Sequence, residues 1–147
     1  MSVTGLPVFD TTVQETNLWL KEVEVELASL DRQRSYEATR AVLHALRDRL
    51  EPDQAMNFAA QLPMLMRGFM TEGWNVAASP SGERLASEFL LHVEEKLPPS
   101  YPLDVAETTR GVLSALMHQM GKESMRKLMM QLPKDIRHLF PAALQTQ

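Results

Sequence analysis

The groups of this chain suited to proton transfer or metal binding are four histidines and nineteen carboxylates. His44, His92, His118 and His138 are irregularly spaced, and no His-Glu-x-x-His pair sets two imidazoles and a base on one helix face. Glu94, Glu95 and Glu107 offer acid or base partners. However, no Gly-x-Ser-x-Gly elbow presents a nucleophile, and no glycine-rich loop cradles a phosphate. The absence of cysteine removes thiolate nucleophiles, thiolate metal sites and disulfides, and it fits a reducing cytoplasm. All four histidines are expected on or beside polar helix faces as ordinary surface groups. No catalytic residue, metal site or cofactor is expected.

Ten methionines raise a second chemistry, because soft thioethers select Cu(I). The densest set is Met117-His118-Gln119-Met120 with Met125, Met129 and Met130. Seventy residues earlier, Met120, Met125 and Met129 are matched by Leu50, Ala55 and Ala59, a substitution pattern that reads as core filling.

That offset governs the whole chain. Gln61-Leu62-Pro63 returns as Gln131-Leu132-Pro133, and identities at the same spacing include Leu20/Leu90, Val23/Val93, Leu27/Leu97, Val42/Val112, Leu43/Leu113 and Leu46/Leu116. Apolar identities at helical spacing mark a duplicated supersecondary unit. The doubled polar residues Glu24/Glu94, Glu37/Glu107, Arg40/Arg110 and Arg67/Arg137 are read as ties between helices. Arg40 is expected to reach Glu24 or Glu37, and Arg110 to reach Glu94 or Glu107. Pro63 and Pro133 break their helices by removing a donor, and Gln61 and Gln131 are expected to satisfy the backbone groups freed there.

The elements that must position these groups are helices. Residues 1–10 read as an arm, with Val8 and Phe9 available for docking and a mobile tip. A helix from about Thr12, capped by Thr11 or Thr12, carries Val13, Thr16, Leu20, Val23 and Leu27 on one face. A second helix carries Tyr36, Thr39, Val42, Leu43, Leu46 and Leu50, with Glu37, Arg40, His44, Arg47 and Asp48 opposite. Pro52 opens a third, and Met66, Phe69 and Met70 face inward from a short fourth. Residues 11–72 form the first repeat, 73–82 a linker, 83–141 the second repeat, and 142–147 a tail expected to fray from Gln145. The fold class is all-α: a pseudo-two-fold helical bundle of two tandem three-to-four-helix units within one compact domain.

A net charge of −4 opposes general nucleic-acid binding, which needs a dense basic face. The mild cationic excess of Lys122, Arg126, Lys127, Lys134 and Arg137 reads as a solvated helix face. No apolar run approaches the roughly 20 residues of a membrane span, and Met1 to Val13 lacks the marks of an export signal.

Three runs carry a family likeness: Leu18-Trp19-Leu20-Lys21-Glu22-Val23, the helix Arg40 to Leu50, and Ala59-Ala60-Gln61-Leu62-Pro63 with Arg67-Gly68 and Glu72-Gly73-Trp74. Over nearly its whole length the chain resembles the bacterial family called domain of unknown function 2267. The second half departs from the pattern, with His138 in place of Gly68 and Pro141 to Leu144 in place of Thr71 to Trp74. The resemblance implies a compact helical bundle in a bacterial cytoplasm and carries no catalytic residues with it.

The expected function is a non-catalytic interaction or scaffold module in a stress or regulatory setting. A small-molecule or lipid-binding protein is the alternative, and an enzyme the third reading. Several apolar residues stand where the other half is charged: Leu18 (Glu88), Val25 (Glu95), Met56 (Arg126), Met64 (Lys134) and Leu65 (Asp135), with Leu91 (Lys21) and Met117 (Arg47) in the second half. The shared core does not need side chains of that kind. Leu18, Val25, Met56, Met64 and Leu65 are therefore the candidate patch for a protein partner or self-association.

Overall fold

The computed structural model describes residues 2–145. Among them, every regular element is helical: α1 (Pro7–Glu26), α2 (Arg32–Arg49), α3 (Pro52–Ala59), α4 (Met64–Thr71), α5 (Ala86–Lys96), α6 (Val105–Met120), α7 (Lys122–Met130) and α8 (Ala142–Gln145). Short 3₁₀ turns occupy Val76–Ala78 and Ile136–Leu139. No helix is long and apolar enough to cross a membrane among the described residues.

Local signals account for most boundaries. Asp31 caps α2 by accepting from the Arg34 N–H at 2.8 Å, and Asp104 caps α6 through the Glu107 N–H at 3.1 Å. Glu88 Oε1 accepts from the backbone of Arg84 and Leu85 at the start of α5, which lowers its carboxyl below the ordinary range. Gly121, at φ 93°, separates α6 from α7 in a conformation that side chains resist. Pro63 stands between α3 and α4, as its missing donor requires.

The first helix departs from expectation. It begins at Pro7 rather than near Thr12, so most of the expected arm is helical. Proline is well suited to the first helical position, and Asp10 ties the preceding turn by accepting from Thr4 N at 2.9 Å. Thr12 is therefore no N-cap of α1. Its hydroxyl instead accepts from the Leu65 N–H at 2.9 Å and caps α4, whose own N-cap, Pro63, has no side-chain acceptor. The expected mobile tip at Met1 lies outside the described residues. The tail, expected to fray from Gln145, instead forms α8, with Leu144 buried and Gln145 Nε2–H donating to the carbonyls of Arg137 at 2.6 Å and Phe140 at 3.2 Å, while 146–147 lie outside the described residues.

One cluster of buried apolar residues draws on both halves, from Val23 and Leu46 to Leu116 and Leu144. α2 lies at its centre, against α1, α3, α4, α5 and α6. α1 packs on α2, α4 and α6, while α5 packs on α6, the 136–139 turn and α2. Leu27, the residue that follows α1, lies over Gly111 of α6 so closely that a Cβ there would come within 2.6 Å of the leucine side chain.

Candidate functional site

The extra N-terminal turns of α1 run alongside α4 and leave an open groove between α1, α2 and α4. Its volume is about 800 Å³, and its walls are Phe9, Val13, Leu20, Tyr36, Met64, Leu65 and Phe69 with Thr12, Thr16, Asn17, Gly68 and Glu72. Tyr36 and Phe69 meet edge to face, with ring centroids 5.1 Å apart, and stiffen one wall. The only ionised group in the lining, Glu72, already pairs with Arg40 at 3.2 Å. Thr16 is 4% exposed, and its hydroxyl has no hydrogen-bond partner. The groove is thus mostly apolar, without free charge, and carries one buried hydroxyl that has no partner.

Of the candidate patch, Met64 (42% exposed) and Leu65 (45%) line this groove with Phe9 and Val13. Leu18, Val25 and Met56 are exposed elsewhere, Leu18 and Val25 being two turns apart on α1. Leu91 is also exposed, whereas Met117 is buried. Met125 and Met129 are buried in the core, as core filling requires.

The ion pairs differ from those expected. Glu24 pairs with Arg32 and Glu37 with Arg34, the latter at 3.0 Å, so neither is left for Arg40. Arg40 turns to Glu72 at the end of α4, while Arg110 donates to the His138 carbonyl at 3.0 Å. Glu94 and Glu107 are exposed and form no ion pair among the described residues. The proline breaks are closed by arginine rather than glutamine. Arg67 donates to the Leu62 carbonyl at 3.2 Å and Arg137 to the Leu132 carbonyl at 2.9 Å, while Gln61 and Gln131 are exposed. A guanidinium five residues on reaches back over the turn with donors in a fixed fork.

The histidines also separate. His44 is buried, not superficial, and its Nε2–H donates to the Phe69 carbonyl at 2.7 Å. Burial, opposed by that hydrogen bond and aided by the charges of Arg47, Arg40 and Lys96, lowers its pKa to about 4. Its neighbour Arg47, 3% exposed, donates to the carbonyls of Met70 and Glu72, both at 2.7 Å, and to Asp48 at 3.0 Å. His92 bridges Asp48 at 3.0 Å and Glu83 at 3.2 Å. The Asp48 hydrogen bond, outweighing desolvation, raises the imidazole pKa. For Asp48, burial is the largest single influence and acts upward, but His92, Arg47 and Lys96 together hold the carboxyl at about 2. This network fastens α5 and the linker to α2, and Ser81 N–H donates to the Asp48 carbonyl at 2.7 Å.

His118 meets Glu22 and Glu26 across the α1–α6 contact. Spacing rules missed that cluster because Glu22 and His118 are 96 residues apart in sequence. His138 is exposed beside a cationic cleft lined by Arg126, Lys134 and Arg137.

Residues 16–139 match the family described as "Uncharacterized conserved protein (DUF2267)". No curated protein matches the chain. With most of its length covered, the chain belongs to the DUF2267 family.

Proposed function

We propose, for this member of the DUF2267 family, a non-catalytic interaction module that receives an apolar helical segment in the α1–α2–α4 groove. The observation that carries the reading is the groove itself, about 800 Å³ of mostly apolar wall with no unpaired ionised group. Amphipathic helices dock in such grooves through a few apolar anchors. The occupant is a second copy of this chain. Its N-terminal α1 turns expose Leu6, Val8, Phe9 and Val13 beside the groove, so each copy carries both an apolar ridge and a place to receive one. A two-fold contact is self-complementary in this way.

Supporting this reading is a pseudo-two-fold scaffold of two units. Packing of α1 on α2, α4 and α6 parallels that of α5 on α6, the 136–139 turn and α2. The absence of cysteine fits a reducing compartment such as the cytoplasm.

The test is Met64→Lys with Leu65→Asp, which imports the residues of the second half. Wild type should sediment as a concentration-dependent dimer, and the variant should keep its helical content and sediment as a monomer. A wild type that stays monomeric at high concentration overturns self-association. A second reading, binding of a small apolar ligand, draws on the unpaired Thr16 hydroxyl and on a volume within the roughly 300–1,000 Å³ typical of ligand pockets. Saturable binding of a fatty acid or an apolar dye by monomeric wild type, lost in the variant, would favour it.

A further inference from the structure

We propose that Glu22, Glu26 and His118 form a site for one divalent transition-metal ion of the zinc class, held between α1 and α6. One donor atom from each residue lies within 4.8 Å of the others. His118 Nδ1 is 3.1 Å from a Glu22 carboxylate oxygen and 3.4 Å from one of Glu26. Tetrahedral zinc with bonds of about 2.0–2.1 Å separates neighbouring donors by roughly 3.3–3.4 Å. The three atoms can therefore close on an ion with small side-chain adjustments.

The scaffold holds them there. Glu22 and Glu26 are four apart on α1 and share a face, and His118 belongs to the last turn of α6. The two helices are locked by Leu27 seated over Gly111, so the ligands stand on rigid elements rather than loops.

Charge adds a separate reason. Among the described residues neither Glu22 nor Glu26 pairs with a lysine or arginine, and the two carboxylates share one imidazole. A protonated histidine offsets one negative charge, whereas a divalent ion offsets both and takes the imidazole in its neutral, ligating form. The nitrogen donor turns the site away from calcium and magnesium, which favour oxygen shells, and toward zinc, nickel or copper(II). His118 is 47% exposed at its side chain, so water can complete the coordination. An ion bound here clips the first helix of one half to the second helix of the other.

Titration calorimetry of the full chain with zinc chloride should show one saturable site, and zinc should raise the thermal midpoint because the ion binds the native state alone. Binding should weaken as the pH falls, because protons compete with the ion for its imidazole and carboxylate ligands. His118→Ala, and separately Glu22→Gln with Glu26→Gln, should each weaken zinc by more than about tenfold, a loss that even outer-shell changes can cause. Both variants should keep wild-type circular dichroism, and His138→Ala should bind as wild type. Zinc affinity that survives His118→Ala, or that is lost instead in His92→Ala, overturns the assignment, as does wild type without a saturable site.

Discussion

At the two Gln-Leu-Pro segments the protein meets the same backbone problem twice and surrounds the answer differently. Arg67 and Arg137 close the two breaks by reaching back to the Leu62 and Leu132 carbonyls, and both leucines are 2% exposed. Beyond that shared core the rims diverge. Met64, Leu65 and Gly68 of the first segment face an apolar groove, while Lys134, Asp135 and His138 occupy the same places in the second. Even the seam between neighbouring helices is closed in opposite senses: Thr12 of α1 accepts from Leu65 N–H, whereas Asp135 accepts from Ala86 N–H of α5 at 2.6 Å. Packing preserves what both segments need, and surface chemistry distinguishes them.

The largest test of that contrast is Arg47, whose counterpart is the buried, apolar Met117. Arg47→Met would import a side chain that the second half tolerates at this position. It should nonetheless cost about 3–5 kcal/mol in urea unfolding, the loss expected when one partner of a buried charged network is removed. The reason is local. The Met70 and Glu72 carbonyls at the end of α4 would lose their donor, and Asp48 one of its cations. A loss below about 1 kcal/mol, the scale of an exposed pair, would show that water replaces the guanidinium.

Two histidines should set stability against pH with opposite signs. His44 has its pKa lowered to about 4, so its contribution is complete above the unfolded value and is lost as pH falls from there through the folded value. At about 1.4 kcal/mol per unit the loss amounts to at most about 3 kcal/mol. His92, with a raised pKa, stabilises below the unfolded value and loses that contribution as pH rises through its folded value. Urea midpoints across this range should show His44→Gln with a flatter acid limb and His92→Gln with a flatter neutral limb. Parallel profiles for both variants and wild type would contradict these protonation states.

How the sequence fared is clearest at these same residues. Apolar periodicity placed Val42, Leu46, Val112 and Leu116 correctly in the core, because an amphipathic helix with one buried face writes that face in its spacing. The same rule assigned His44 and Arg47 to a polar outer face. α2 has no such face over that stretch: every residue from Ala41 to Arg47 is buried, since helices pack around it on all sides. Burial of a central helix depends on partners far along the chain, and polar residues there are satisfied by carbonyls of α4 that spacing does not reveal. The groove was legible in part. Met64 and Leu65 stood out against Lys134 and Asp135, but the contribution of Phe9 required α1 to begin at Pro7, a first-position proline that the expected arm obscured.

A smaller effect belongs to the α1–α6 crossing. Gly111→Ala places a Cβ 2.6 Å from Leu27 Cγ, a branch point that cannot simply swing aside. Its counterpart, Ala41 on α2, already carries that methyl group and is fully buried. The expected cost is about 1–3 kcal/mol, typical of overpacking, and Leu27→Ala combined with Gly111→Ala should cost less than the sum of the two single changes. Additivity would mean that the two residues do not meet.

The smallest effect asks whether the opposed seams can be interchanged. Thr12→Ala removes the acceptor for Leu65 N–H, and Asp135→Ala removes the acceptor for Ala86 N–H. Each loses one helix-terminal cap and should cost about 1 kcal/mol by thermal or urea unfolding. If the seams were equivalent, an aspartate at position 65 would rescue Thr12→Ala by capping α1 as Asp135 caps α5. It should fail, because the counterpart of Ala86 is Thr16, the tenth residue of α1, which starts at Pro7. A helix-interior N–H is already bonded to the carbonyl four residues back, so an added carboxylate finds no free donor. Thr12→Ala with Leu65→Asp should therefore be no more stable than Thr12→Ala alone. Recovery of the lost stability would show that the first turns of α1 open readily, and the groove wall they form would then be adjustable rather than preformed.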